Sequence, residues 1–171
     1  MQVTAVEVAA VCALLAQAPP AYKGKEEKLP VAVAPQPVSF SHRKHAAAGM
    51  RCHNCHPEAK TKERAGLPGT ELCMGCHVTV KAESPEIQKL ARMHSSGKRV
   101  KWVRVYKLPD FVFFSHAVHM RAEEKCVTCH GPVKEREVLA KEVSTSMAAC
   151  MKCHVERKAS TECVVCHQLS F

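Results

Sequence analysis

Ten cysteines and five histidines of this 171-residue chain fall into one repeated pattern, Cys-x-x-Cys-His. The copies are Cys52-Cys55-His56, Cys73-Cys76-His77, Cys126-Cys129-His130, Cys150-Cys153-His154 and Cys163-Cys166-His167. Two thiols with two residues between them reach one edge of a porphyrin and add across its vinyl groups as thioethers. The adjacent histidine is then held under the ring, where its imidazole takes one axial position on iron. The pattern predicts five covalently bound haem c groups. A zinc ribbon needs paired knuckles converging on one tetrahedral site and gives no reason for a histidine after every second cysteine. A disulfide scaffold gives none either.

Six histidines lie outside the motifs: His42, His45, His53, His94, His116 and His119. Iron ligated by imidazole on both faces needs one distal partner per haem. His53 sits between the two cysteines of the first motif, tethered at the ring edge. It cannot turn onto its own iron and reads as a solvated or hydrogen-bonding residue. His42, His45, His94, His116 and His119 are the distal axial candidates. The pairs His42/His45 and His116/His119 are His-x-x-His. Side chains three apart on a helical turn share one side, about 5–6 Å apart at Cβ, and cannot clamp one iron between them. Each pair must serve two different haems, which ties two rings to one short segment. His94 stands alone on a predicted helix and is either a distal ligand or a surface residue. In the second case one haem takes a methionine or stays open. Met50, Met74, Met93, Met120, Met147 and Met151 lie near motifs. A thioether ligand would raise that haem's potential, although the ordinary role of methionine is packing.

The elements that position these groups repeat. At an offset of 74, Phe40-Ser41-His42-x-x-His45 falls on Phe114-Ser115-His116-x-x-His119, and Cys52, Cys55 and His56 fall on Cys126, Cys129 and His130. Each repeat (40–77 and 114–154) is a Phe-Ser-His-x-x-His head followed by two motifs. The fifth motif, within 155–171, is a C-terminal addition. The connector 78–113 opens with a helical stretch (SPEIQKLARMH) and continues with strand-like composition (VKWVRVYKLP) ended by Pro109.

Aromatic residues make up only 5% of the chain, with one Trp, which is thin for an ordinary core of this size. From Phe40 to Phe171 each of five haems has about 26 residues, too few for separate protein cores. The rings must pack on one another and largely constitute the core. The expected fold is one domain, 38–171, mostly irregular, with short α-helices at the motifs and little sheet. The formal charge of +9 could suggest nucleic acid. Two propionates per haem bring the loaded protein to about +4 oxidised and about −1 reduced, so the basic excess balances cofactor carboxylates. Basic residues are also spread rather than clustered, which argues against nucleic acid.

Residues 1–37 read as a leader and a Pro-rich linker. Val8 to Ala18 form an apolar run too short to span a bilayer, with a small-x-small pattern at Ala16-Gln17-Ala18 but no basic residue ahead of it. Cys12 reads as an apolar leader residue, with lipidation as the alternative. Lys23 to Pro37 reads as an exposed linker. Thioether attachment places the protein outside the cytoplasm, in the periplasm or on the outer face of the cytoplasmic membrane.

The Phe-Ser-His-x-x-His head followed by Cys-x-x-Cys-His resembles the class III multihaem cytochromes c over residues 38–171. The resemblance implies that the first histidine of a head ligates the next haem along and the second a more distant one. It pairs His42 with His56 and His116 with His130, and sends His45 and His119 to other haems. Trp102-Val103-Arg104-Val105, Leu108-Pro109-Asp110, Phe113-Phe114-Ser115-His116 and Cys129-His130-Gly131-Pro132 are similar to the pentahaem cytochrome c subunits of alternative complex III and related respiratory complexes. That similarity implies redox protein partners, among them an iron–sulfur/molybdopterin-like or quinol-oxidising membrane subunit. Membrane association would run through a partner or the N-terminal segment.

The function expected is electron transfer without bond chemistry, the protein setting potentials through axial ligands, burial and charge. Saturated iron blocks substrate binding, so the chain is not itself expected to be an enzyme. Two alternatives differ in kind. A reductase of small oxyanions or nitrogen compounds would need one five-coordinate haem, and no catalytic pocket is marked. A haem filament would need exposed terminal rings and a contact that does not close.

Overall fold

The computed structural model describes residues 27–167. The apolar run, Cys12 and the last four residues lie outside them. The described chain runs through α1 (His42–Ala47), α2 (Cys52–Cys55), a 3₁₀ turn (Pro57–Lys60), α3 (Thr70–His77), α4 (Pro85–Ser95), α5 (His116–Arg121), α6 (Cys126–His130), a second 3₁₀ turn (Val133–Glu135), α7 (Met147–Glu156) and α8 (Cys163–Cys166). Most are one or two turns long. Isolated helices of that length are marginal in water, so tertiary contacts and the covalent motifs must hold them. Among the described residues the only β-pairing is two isolated bridges, Val31 with Lys141 and Val112 with His167.

The polypeptide core is small, as the composition requires. Val38, Met74, Leu90 and Val100 form it, flanked by Cys73, Ile87, Ala91, Met93 and Trp102. It lies where α3 packs on α4. Pro85 starts α4 at a position where the missing N–H costs nothing, and Ile87, Leu90 and Ala91 make one apolar face at helical spacing. Met74 and Met93 pack in this cluster.

The stretch with strand-like composition forms no strand. Its polar backbone is satisfied differently: Val103 N–H donates to Gln36 Oε1 and Gln36 Nε2 donates to the Val103 carbonyl, both at 2.9 Å. One side-chain amide thus stands in for a partner strand, while Trp102 meets Phe40 edge-on at 6.2 Å and Tyr106 turns toward His130. The described part of the Pro-rich stretch lies along the domain. Val31 exchanges two 2.9 Å backbone bonds with Lys141, and Glu27 pairs with Lys141 Nζ at 2.6 Å.

Two long-range contacts carry the middle of the molecule. α1 packs on the second 3₁₀ turn and α5 on the first. Arg43 N–H donates to the Arg136 carbonyl, and Ala117 N–H to the Lys62 carbonyl, each at 3.0 Å. Residues 43 and 117, and residues 62 and 136, are separated by the same 74 positions. Each head helix therefore leans on the turn that follows the other half's first motif.

Candidate functional site

Each residue of the Phe-Ser-His-x-x-His head has a local task. Ser41 and Ser115 precede α1 and α5 as N-caps, their hydroxyls accepting from Lys44 N–H (3.0 Å) and Val118 N–H (3.4 Å). Their carbonyls accept from Nδ1–H of the second histidine, His45 at 2.7 Å and His119 at 2.8 Å. Phe40 stacks on His45 with ring centres 4.3 Å apart, and Phe114 on His119 at 4.5 Å. The same phenyl rings meet His42 and His116 edge-on at 4.8 and 4.9 Å. One phenylalanine and one serine thus fix two imidazoles. The spacing that bears on axial ligation involves the histidines alone. The signal was present in the head itself, which repeats its Phe and Ser along with its histidines.

The two histidines of a head face different motifs. His45 meets His77 at 6.1 Å between ring centres. His116 meets His130 at 6.2 Å with planes 5° apart, and His119 meets His154 at 6.1 Å. His42 neighbours His56: burial pushes the His42 imidazole down to about 4, and the His56 and His45 rings beside it add to this. Burial also lowers His130, with His116 and then His56 adding to it.

Those separations test whether an iron fits. An imidazole nitrogen sits about 2.0–2.1 Å from a first-row metal and about 1.1 Å from its own ring centre, so two trans imidazoles put their centres about 6.3 Å apart. The three measured pairs lie within 0.2 Å of this value. Nδ1 is engaged in most of the rings, which turns Nε2 to the metal side. His56 donates to the Gly66 carbonyl at 2.8 Å, His77 to Val80 at 2.8 Å, His116 to Glu63 at 2.7 Å and His154 to Ser160 at 2.6 Å. None of the ten motif cysteines is paired in a disulfide, which leaves each pair available for one porphyrin edge. Apolar side chains inside the motifs, Val127, Val164 and Val165, are more than half exposed, open faces that a macrocycle would cover. Among the described residues no three His, Cys, Asp or Glu side chains converge on a shared metal site. The donor set fits haem c held between facing histidines.

The thiols also show which motifs adjoin. Burial pushes Cys73, Cys126, Cys129 and Cys150 up, and a thiol of another motif adds to each: Cys55 beside Cys73, Cys52 beside Cys126, Cys153 and Cys150 beside Cys129, and Cys166 beside Cys150. The spatial succession is second motif, first, third, fourth, fifth.

His94, His167 and His53 are not brought to a facing imidazole. His94 is exposed on α4 and hydrogen-bonded with Thr70 Oγ1 at 3.1 Å. His167 Nδ1 reaches the Phe111 carbonyl at 3.4 Å, with Phe111 packed on its ring at 5.8 Å. His53 lies beside Lys60 and Arg51, whose charges, together with burial, keep its imidazole below the usual range, the Lys60 effect being the largest.

Connector aromatics complete the positioning. Tyr106 Oη donates to the His130 carbonyl (3.3 Å), accepts from Glu142 and Val143 N–H (3.1 and 3.3 Å), and its ring meets His130 edge-on at 4.6 Å. Trp102 Nε1–H donates to the Pro68 carbonyl at 3.0 Å. In the sequence Trp102 stands in the Trp102-Val103-Arg104-Val105 motif, whereas Tyr106 is marked only as part of a strand-like stretch. Glu58, Lys62, Glu63, Arg64 and Arg121 line an open cleft of about 610 Å³ between the first 3₁₀ turn and α5, a border of mixed charge in which Lys62 is paired with Glu58.

No helix among the described residues is long and apolar enough to cross a membrane. Residues 112–168 match the family model for cytochrome c7 and related cytochrome c, and residues 19–107 match that of the class III cytochrome C family. The multiheme cytochrome c subunit of the menaquinone reductase of Nitratidesulfovibrio vulgaris (strain Hildenborough) is 32% identical over 161 residues, spanning 78% of this chain and 77% of that one. The facing histidines, the paired motif cysteines and these matches lead to one assignment: the chain belongs to the class III cytochrome c family and is a multihaem electron-transfer protein.

Proposed function

We propose that the chain carries five haem c groups and passes electrons between redox proteins as an extracytoplasmic subunit of a menaquinone-linked respiratory complex. The ten motif cysteines would hold the rings, and His56, His77, His130, His154 and His167 would be the proximal ligands. His42, His45, His116 and His119 would be the distal ligands of the first, second, third and fourth motifs. When bound, haem supplies reversible one-electron storage at iron. The chain's residues orient the imidazoles, fill both axial positions and exclude other ligands. The observation carrying this reading is the trio of facing imidazole pairs at 6.1–6.2 Å. The menaquinone link rests on the similarity to the multiheme subunit of a menaquinone reductase. Membrane contact would come through a quinol-oxidising or iron–sulfur/molybdopterin-like partner.

The test is mass spectrometry of the mature polypeptide, expected to show five haem additions, with electron paramagnetic resonance of the oxidised protein dominated by low-spin ferric signals. Fewer additions would reduce the count, and a polypeptide without them would end the reading.

One observation favours a second reading for the C-terminal haem alone. All eleven histidines lie within 42–167, and none faces His167. This ring would then have an exchangeable sixth position. A high-spin signal of about one iron in five in the unaltered protein supports it, and an entirely low-spin spectrum removes it.

A further inference from the structure

The hydrogen bonds behind the facing imidazoles are unequal. A ligating histidine whose Nδ1–H donates to an acceptor is a more basic ligand, which favours ferric iron and lowers the reduction potential. At the second motif both rings donate, His45 to Ser41 O (2.7 Å) and His77 to Val80 O (2.8 Å). At the fourth motif both donate again, His119 to Ser115 O (2.8 Å) and His154 to Ser160 O (2.6 Å).

The first and third motifs differ. His56 donates to Gly66 O, but His42 Nδ1 is buried with no partner. His116 donates to Glu63 O, but among the described residues no acceptor is paired with His130 Nδ1. The asymmetry has a structural cause. The second histidine of each head reaches back to its own serine carbonyl, whatever the rest of the fold does. The first histidine depends on the other half: His116 finds the backbone carbonyl of Glu63, whereas among the described residues no matching bond joins His42 Nδ1 to the Glu137 carbonyl. His130 has its ring held by the edge of Tyr106 instead of by an acceptor.

The two less-supported sites are also neighbours. Cys52 and Cys126 adjoin, His56 lies beside His130, and the reciprocal bonds Arg43–Arg136 and Ala117–Lys62 clasp the halves around them. The second and fourth motifs flank this pair. Burial adds to the effect, because removing water disfavours the extra charge of ferric haem.

We propose that His42, whose buried Nδ1 has no acceptor, and His130, whose Nδ1 has no acceptor from the protein among the described residues, make the adjoining haems of the first and third motifs accept electrons before those of the second and fourth. The middle of the array then stores two electrons, with less readily reduced haems on either side. A carrier linked to a two-electron donor could thus accept both electrons before the flanking second- and fourth-motif rings fill. The inference rests on the five-haem reading.

The test is a redox titration of the complete holoprotein, following the low-spin ferric signals. Among the low-spin signals of the first four motifs, those of the first- and third-motif haems are expected to disappear before the other two. Those sites should hold electrons with at least a tenfold preference over their flanking neighbours, equivalent to 59 mV for one electron. His42→Met and His116→Met should each move one signal of the early pair, and His45→Met and His119→Met one signal of the later pair. Early loss of the second- or fourth-motif signals overturns the proposal. Where a variant does not mature, proton NMR of the unaltered, partly reduced protein serves. The haem methyls that first lose their paramagnetic shift should cross-relax with Tyr106, and contact confined to later-reduced haems refutes the assignment. Failure of the five-haem reading shows separately, as a wrong haem mass in the unaltered protein.

Discussion

Removing one distal imidazole should change the spin state of one iron while leaving its haem attached. His119→Ala is the informative variant. Its ring centre lies 6.1 Å from that of His154, which leaves about 3.9 Å between facing nitrogens, the room for two metal–nitrogen bonds of about 2.0 Å. Alanine empties one side of that gap. On the proposed attachment Cys150 and Cys153 would still hold the ring, so mass spectrometry should find the same number of haem additions as in the parent. The high-spin ferric signal should rise by about one fifth of the total iron over the unaltered protein. Phe114 also loses the ring stacked on it at 4.5 Å, a contact worth about 0.5–1.5 kcal/mol beyond its area, so thermal stability should fall modestly. His53→Ala is the control and should leave the spectrum as it was. An unchanged high-spin fraction in His119→Ala, with full haem content, would refute the ligand geometry argued from ring spacing.

Other outcomes follow from single contacts. Tyr106→Phe removes a hydroxyl that serves Glu142 N–H, Val143 N–H and the His130 carbonyl, and should cost about 1–3 kcal/mol in thermal unfolding of the holoprotein. An unchanged melting temperature would show that water replaces it freely. Ser41→Ala should destabilise by about 1 kcal/mol, and more than Ser115→Ala, because its cap bond is 3.0 Å against 3.4 Å. Equal losses in denaturant titration would contradict that ranking. Gly131 has φ +70° and ψ −168°, a region nearly reserved for glycine, and a Cβ there would stand 3.5 Å from the Glu142 Cβ. Gly131→Ala should therefore cost about 1–3 kcal/mol, read as lower melting temperature and holoprotein yield. His94→Ala should remove one hydrogen bond to Thr70, about 1 kcal/mol, and leave the low-spin signals of the first four haems in place.

The sequence made the general character of this fold readable because short-range chemistry sets it. Covalent motifs place the haems, the scarcity of aromatics forbids a conventional core, and the result is short helices in irregular chain. The expected helix in the connector is α4, whose apolar face and Pro85 start are local features. The strand-like segment misled because β-branched and aromatic composition marks a half-buried extended chain, whichever partner it finds. Here the partner is the side-chain amide of Gln36, 67 positions away, and no local pattern encodes that. The His-x-x-His spacing limited what each head could do. Which motif each ring faces depends on α1 docking at residues 133–135 and α5 at 57–60, a long-range arrangement that spacing does not contain. The hydrogen bonds that distinguish one imidazole from another belong to the same class of information.

The crossed docking of the two head helices bears on how the protein is made. α1 finds its seat on residues 133–135, about ninety positions later in the chain. As the polypeptide grows from its N-terminus, its first head stays undocked until most of the chain has been synthesised. The attachment machinery therefore meets the early cysteine pairs on loose, accessible chain. With so little apolar interior of its own, a copy that misses its tetrapyrroles has almost nothing to collapse around. Such copies should be removed by proteolysis, so completeness of cofactor loading becomes the condition for survival.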